Sequence, residues 1–184
     1  MKILGISGTI LGAKTAVLVK AVLDEIKDVN PDAETTLLDL REYEMQFCDG
    51  RKPELYNDDT RKVIQSVTEA DLYLIGFPIF NGSIPGPLKN LFDLVPPDVF
   101  RNKVMGFVAN GGTYQHYLVI ENQVKPIAGY FRSYVAPSYV YTNAEHFNRE
   151  NQITDIEVLN RIKMLAGELV MMQEGFKVKK PGIV

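Results

Sequence analysis

Five short apolar runs, KILGIS (Lys2–Ser7), ETTLLDL (Glu34–Leu40), DLYLIG (Asp71–Gly76), KVMGFVA (Lys103–Ala109) and SYVAPSYVYT (Ser133–Thr142), are spread along the chain, with segments of helical spacing between and after them. No other feature constrains the fold as much. DLYLIG and KVMGFVA are apolar with little alternation, as central strands covered on both faces must be. Strands separated by helices pair in parallel through right-handed crossovers, so the pattern predicts one α/β domain spanning residues 1–184, with helices on both faces of a parallel sheet.

The helical segments carry their own signals. Lys14–Lys27 places Val17, Leu18, Ala21, Val22, Leu23 and Ile26 at amphipathic spacing and ends at Asn30-Pro31-Asp32. Asp59–Ala70 puts Val63, Ile64 and Val67 on one face, after a long polar connection from Arg41 to Asp58. Tyr117–Phe131 reads as a helix that Pro126 bends or divides. Thr154–Glu174 reads as the last helix, capped by Thr154 with Glu157 three residues on. Pro137 cannot donate to a ladder, so the fifth strand is an edge strand or carries a bulge.

Composition excludes several functions. A net charge of −3 offers no general attraction to nucleic acid or an anionic membrane, and the Lys177, Lys179, Lys180 cluster reads as a solvated tail. No run approaches the roughly 20 apolar residues that span a bilayer, and MKILGIS is too short for a signal peptide. The single cysteine, Cys48, has no disulfide partner in the chain and suits a reducing cytoplasm. His116, His146 and Cys48 do not have zinc-site spacing, so no metal is expected.

In parallel sheets ligands bind beyond the carboxyl ends of the strands. The loop after the first strand, GISGTILGAKT, leads small residues and the hydroxyls of Ser7, Thr9 and Thr15, with Lys14, into a helix N-terminus that favours phosphate. Its glycines, Gly5, Gly8 and Gly12, fit neither G-x-G-x-x-G nor the Walker pattern. The loop after the third strand, FPIFNGSIPGP, holds more backbone-restricting residues than a turn requires, and suits the edge and face of a flat heteroaromatic ring. After the fourth strand comes NGGTYQH, where Gly111 and Gly112 admit close approach of backbone to a ligand; His116 is a ligand contact or a surface or capping residue. Together these loops describe a mononucleotide site of the flavodoxin-like kind.

The run PIFNGSIPGPLKN resembles the P-x-Y-N-G-S-x-P-G-x-L-K-N motif of the NAD(P)H-dependent FMN reductases, and GGTYQHYLVIENQVKPI resembles a segment of their alkanesulfonate-associated members. The resemblance implies a flavodoxin-like three-layer sandwich with strand order 2-1-3-4-5, FMN as cofactor, NADPH or NADH as hydride donor, and a homodimer or homotetramer. By this resemblance Ser7, Thr9, Lys14 and Thr15 meet the FMN phosphate. Pro78, Ile79, Phe80, Asn81, Gly82 and Ser83 surround the isoalloxazine, and Gly111, Gly112 and Thr113 complete the ring site. There are three departures from the family pattern: Ile10 and Leu11 stand where the phosphate loop often carries Arg, which leaves Lys14 as the substitute; Phe80 replaces a Tyr; and Asn122 stands where some members carry a Tyr.

Hydride transfer between nicotinamide and flavin needs no side-chain nucleophile or base, and no convincing acid–base pair occurs in the sequence. Backbone N–H groups near Asn81–Ser83 and Gly111–Thr113 are the expected stabilisers of charge on reduced flavin. Two alternatives share the scaffold: a quinone or azo-dye reductase with bound FMN, and an electron carrier that does not oxidise NAD(P)H. Arg41, Tyr43, Met45 and Phe47 in the long connection are expected to border a neighbouring subunit's site.

Overall fold

The computed structural model describes residues 1–178; Lys179 and Lys180 of the expected tail lie outside them. Strands β1 (Lys2–Ser7), β2 (Glu34–Asp39), β3 (Leu72–Pro78), β4 (Val104–Asn110) and β5 (Tyr134–Thr142) form one parallel sheet in the order β2-β1-β3-β4-β5. This is the predicted topology. Helices α1 (Lys14–Val29) and α5 (Ile156–Val178) cover one face, and α2 (Asp58–Glu69), α3 (Gly86–Leu94) and α4 (Lys125–Tyr130) the other.

Each strand feeds both cores because its side chains alternate. In β3, Tyr73, Ile75 and Phe77 pack with Val63, Leu88 and Ile120, while Leu72 and Leu74 pack with Leu18, Val22 and Leu165. All of β3 is buried, as its unbroken apolar run predicts. A Cβ on Gly76 would lie 2.2 Å from Val19 Cγ2, so α1 crosses directly over β3. That close crossing brings the α1 N-terminus to the carboxyl edge of the sheet.

Three local features differ from the sequence reading. β3 continues through Phe77 to Pro78, and the next amide, Ile79, donates to the Asn110 carbonyl at 2.9 Å. The helix expected over Tyr117–Phe131 is continuous but irregular, passing from a 3-10 turn (Tyr114–Tyr117) through a π turn (Ile120–Val124) into α4. Pro126 accounts for the irregularity, since it has no N–H for the Asn122 carbonyl, and Lys125 N–H instead reaches back to the Ile120 carbonyl. The α5 cap is Asp155, whose Oδ1 accepts from Val158 N at 2.9 Å; Thr154 N is spent on the His146 carbonyl.

β5 is both an edge strand and bulged. Val135 pairs with Met105 and Tyr139 with Phe107, so Ala136–Ser138 bulge past Gly106, and Glu168 accepts from the Ser138 amide at 3.0 Å. The connection after β2 is fastened by buried Asn90, which accepts from Cys48 N at 2.8 Å and donates to the Gln46 carbonyl at 3.0 Å. The last residue of PIFNGSIPGPLKN is therefore a structural brace.

Candidate functional site

A cleft of about 490 Å³ opens at the carboxyl edge, between the loops that follow β1, β3 and β4. That is within the roughly 300–1,000 Å³ of small-molecule sites. Residues 11–15 form one wall, Pro78 and Phe80 another, and Asn110 and Asn151 the floor and rim.

The first wall is built for an anion. Ala13 caps α1 without any side-chain hydrogen bond, and the first turn contains no acidic residue. Its free N–H groups and the positive end of the helix dipole therefore face the cleft uncompensated. Thr15 is buried and donates its hydroxyl to Asn110 Oδ1 at 2.7 Å, tying α1 to the end of β4. Thr9 is also buried; its Oγ1 accepts from Leu11 N at 3.1 Å and thereby folds the loop. Ser7 lies beneath them, fully buried, with an Oγ that has no partner among the described residues. Lys14 lines the cleft, but its ammonium rests 5.1 Å from the centroid of the Phe147 ring. The Arg41 guanidinium meets this wall from outside: it pairs with buried Asp39, and Nη1 donates to the Gly12 carbonyl at 2.8 Å. Hydrogen bonding to Asp39 raises the Arg41 pKa above its ordinary value.

The second wall is a tight hairpin. Phe80 N donates to Ser83 O at 3.1 Å and Ser83 N to Phe80 O at 3.0 Å, around Asn81 at φ 50° and Gly82 at φ 75°. These are the two left-handed residues of a type I′ turn, for which Asn-Gly is the preferred pair. Phe80 is 43% exposed beside the cleft, whereas Ile79 turns into the core. Gln123, from the π turn, braces the hairpin: Ser83 Oγ donates to its Oε1 at 2.8 Å, and its Nε2 donates to Gly82 O at 3.0 Å.

In the third loop the two glycines differ. A Cβ at Gly111 would lie 2.4 Å from the Tyr141 hydroxyl, so packing within the protein forbids a side chain there; Gly112 is open. Tyr141 Oη donates to the Thr113 carbonyl at 2.5 Å, and burial raises its pKa. His116 stays on the protein side of this loop, its Nδ1 buried without a partner among the described residues. Across the second and third loops, the N–H groups of Asn81, Gly82, Gly112 and Thr113 donate to no protein acceptor among the described residues; those of Ser83 and Gly111 are used internally. An uncapped helix end, free amides on two loops and an exposed aromatic ring fit the phosphate, edge and face of a flavin mononucleotide.

Residues 1–147 match the family model of NADPH-dependent FMN reductases. The chain belongs to that family. Within the family it is 58% identical over 177 residues to an NAD(P)H-dependent FAD/FMN reductase of Geobacillus thermodenitrificans, covering 96% of each chain. It is 29% identical to the NADH-dependent FMN reductase SfnF of Pseudomonas fluorescens, covering 90% of this chain and 88% of that one. Among solved structures, an oxidoreductase from Corynebacterium diphtheriae shares the fold with TM-score 0.76 at 20% identity, covering 95% of this chain and 97% of that one. The apo form of the NADH:FMN oxidoreductase EmoB does so with TM-score 0.76 at 18% identity, covering 93% and 89%. Of the run that carries the family resemblance, Pro78 and Phe80, the latter in place of a Tyr, line the cleft, and Asn81, Gly82 and Ser83 form the turn beside it. Asn110, Gln123, Asn151 and Arg41 were not among the predicted site residues. Asn110 opens the NGGT run and Gln123 falls within the family segment; Arg41, expected to border a neighbouring subunit's site, instead meets the Gly12 carbonyl of its own chain, and Asn151 carries no local signal.

Proposed function

We propose that this chain is a flavin reductase that takes hydride from NADPH or NADH and delivers it to FMN in the carboxyl-edge cleft. The observation that carries the reading is an uncapped helix N-terminus lining a cleft beside which two loops carry backbone N–H groups with no protein acceptor among the described residues. FMN, when bound, supplies the hydride-accepting chemistry. The residues of the chain bind and orient. The α1 N-terminus and Thr15 hold the phosphate end, with Ser7 and Thr9 shaping the loop beneath and Lys14 adding charge at the rim. Phe80 covers part of the ring face, and the amides of Asn81, Gly82, Gly112 and Thr113 are donors suited to the charge that gathers at the ring edge on reduction.

Nicotinamide and electron acceptor use the same open face in turn, which predicts ping-pong kinetics when FMN is retained. Parallel initial-rate lines are the expected result; intersecting lines with firmly bound FMN would contradict it. The exposed apolar rim, Leu11 and Phe80, also admits a flat quinone or azo dye as acceptor. Comparing rates with free FMN, a quinone and an azo dye separates these acceptors. An electron carrier would bind FMN without oxidising NAD(P)H.

The protein works in the cytoplasm as a homodimer or homotetramer. Exposed Ile10 and Phe47, beside Tyr43 and Met45 on an apolar groove next to the phosphate loop, support contact with a second copy. Size-exclusion chromatography with light scattering tests the assembly. Among the described residues, no helix is long and apolar enough to cross a membrane. The deciding experiment is a visible spectrum of the purified protein, with NADPH and NADH oxidation followed with and without added FMN. No flavin binding and no oxidation would refute the reading.

A further inference from the structure

We propose that Arg41 is the positioning residue of the phosphate loop, setting the direction of its amides from outside the cleft in place of an arginine within the loop. The inference rests on the FMN reading above. β2 ends at Asp39, in register with Ser7 at the end of β1, so the sheet itself delivers this carboxylate beneath the loop. Asp39 is only 4% exposed. Its Oδ1 accepts from Arg41 N at 3.1 Å and Arg41 Nε at 3.0 Å, and its Oδ2 accepts from Nη2 at 2.5 Å. Two-point pairing of this kind fixes the plane of a guanidinium, which a lysine ammonium cannot reproduce.

The fixed guanidinium reaches across to the loop, where Nη1 donates to the Gly12 carbonyl at 2.8 Å. Gly12 has φ 74°, a conformation glycine adopts without strain, and immediately precedes the α1 cap. Carbonyl and N–H of one trans peptide point in opposite directions. Holding the Gly12 carbonyl toward Arg41 therefore directs the Ala13 N–H away from Arg41. That N–H has no protein acceptor among the described residues, and Ala13 lines the cleft. Arg41 does not line the cleft, so it acts through the loop. Lys14, the cation the sequence offers for this task, has its ammonium over the Phe147 ring instead.

The consequence is specific to the phosphate. Titration of apo-protein with FMN and with riboflavin, followed by quenching of flavin fluorescence, tests it without any turnover. R41A is expected to weaken FMN binding about tenfold, as loss of a charge-assisted contact that organises the loop would. Riboflavin binding should stay within about twofold, because the hairpin and Gly112 contacts remain. R41K keeps the charge but not the two-point pairing and should recover little; D39N, which frees the guanidinium, should resemble R41A. Thermal midpoints accompany every titration, and R41K with D39N carry the test if R41A does not fold. If R41A weakens both flavins equally, or leaves FMN unaffected, the assignment of Arg41 is overturned while the flavin reading stands. If the wild-type chain binds neither flavin, both are overturned.

Discussion

Replacing Gln123 by Ala tests whether the flavin hairpin is held from outside. The side chain makes two hydrogen bonds to it, accepting from Ser83 Oγ at 2.8 Å and donating to Gly82 O at 3.0 Å. Both are between neutral groups, each worth about 1 kcal/mol net. Gly82 is exposed and Ser83 half-buried, so water replaces the lost partners and no large desolvation penalty is added. The expected cost of Q123A is therefore about 1–2 kcal/mol, which at this chain length lowers the thermal midpoint by roughly 2–8 °C. Because the same bonds hold Asn81 and Gly82 in left-handed conformations, part of that cost should appear as weaker FMN binding, by up to about tenfold. Q123E separates the two bonds: it keeps the acceptor for Ser83 and puts an anion against the Gly82 carbonyl, so it should bind FMN no better than Q123A. The assay is a double-mutant cycle of Q123A with S83A, read in both midpoint and FMN dissociation constant. Strict additivity of the two substitutions, or an unchanged FMN affinity in Q123A, would refute the brace.

The paired glycines of the third loop should respond oppositely. G111A meets the Tyr141 hydroxyl and should destabilise by about 1–3 kcal/mol, partly relieved in G111A/Y141F, whereas G112A should leave the thermal midpoint nearly unchanged and weaken FMN binding; equal midpoints for both would contradict this. Burial raises the Tyr141 pKa, so its protonated form stabilises the fold fully below pH about 10, and that contribution falls as pH rises through the higher folded-state value. The stability difference between wild type and Y141F should accordingly be flat at lower pH and shrink above about pH 10; a difference that grows there would refute the sign. F80A should change stability by less than about 0.5 kcal/mol, because the ring is half exposed, yet weaken FMN severalfold through lost ring packing; a lower midpoint with unchanged FMN affinity would show the ring to be structural.

The sheet was legible because its signals are local or nearly so. DLYLIG and KVMGFVA announce central strands and Pro137 an edge or a bulge, whereas the type I′ turn at Asn81-Gly82 was not read from the sequence although the pair is typical of it. Errors arose between adjacent candidates and where a distant partner decided. Thr154 and Asp155 are both capping residue types, and the helix begins at Ile156, so it is the Asp155 carboxylate that accepts from Val158 N. Gly111 and Gly112 look alike in sequence; Tyr141, about thirty positions on, separates them. Arg41 and Gln123 meet their loop carbonyls across 29 and 41 positions, and no periodicity encodes such pairs.

Those long-range contacts share one form. Arg41 holds the Gly12 carbonyl at 2.8 Å, Gln123 the Gly82 carbonyl at 3.0 Å and Tyr141 the Thr113 carbonyl at 2.5 Å, one clamp for each loop of the cleft. A loop left to itself turns its carbonyls and amides toward whichever partner is nearest, and most buried amides find a protein acceptor. In the loops so clamped, the amides of Ala13, Asn81, Gly82, Gly112 and Thr113 have no protein acceptor among the described residues. Donors fixed in this way need no reorganisation when negative charge develops, which is the condition for electrostatic stabilisation to be effective. A site made of backbone also tolerates exchange of exposed side chains such as Leu11 and Phe80 without losing its donors. Within one fold, flavin binding is thereby separated from acceptor choice: the first resides in clamped loops, the second in the exposed rim above them.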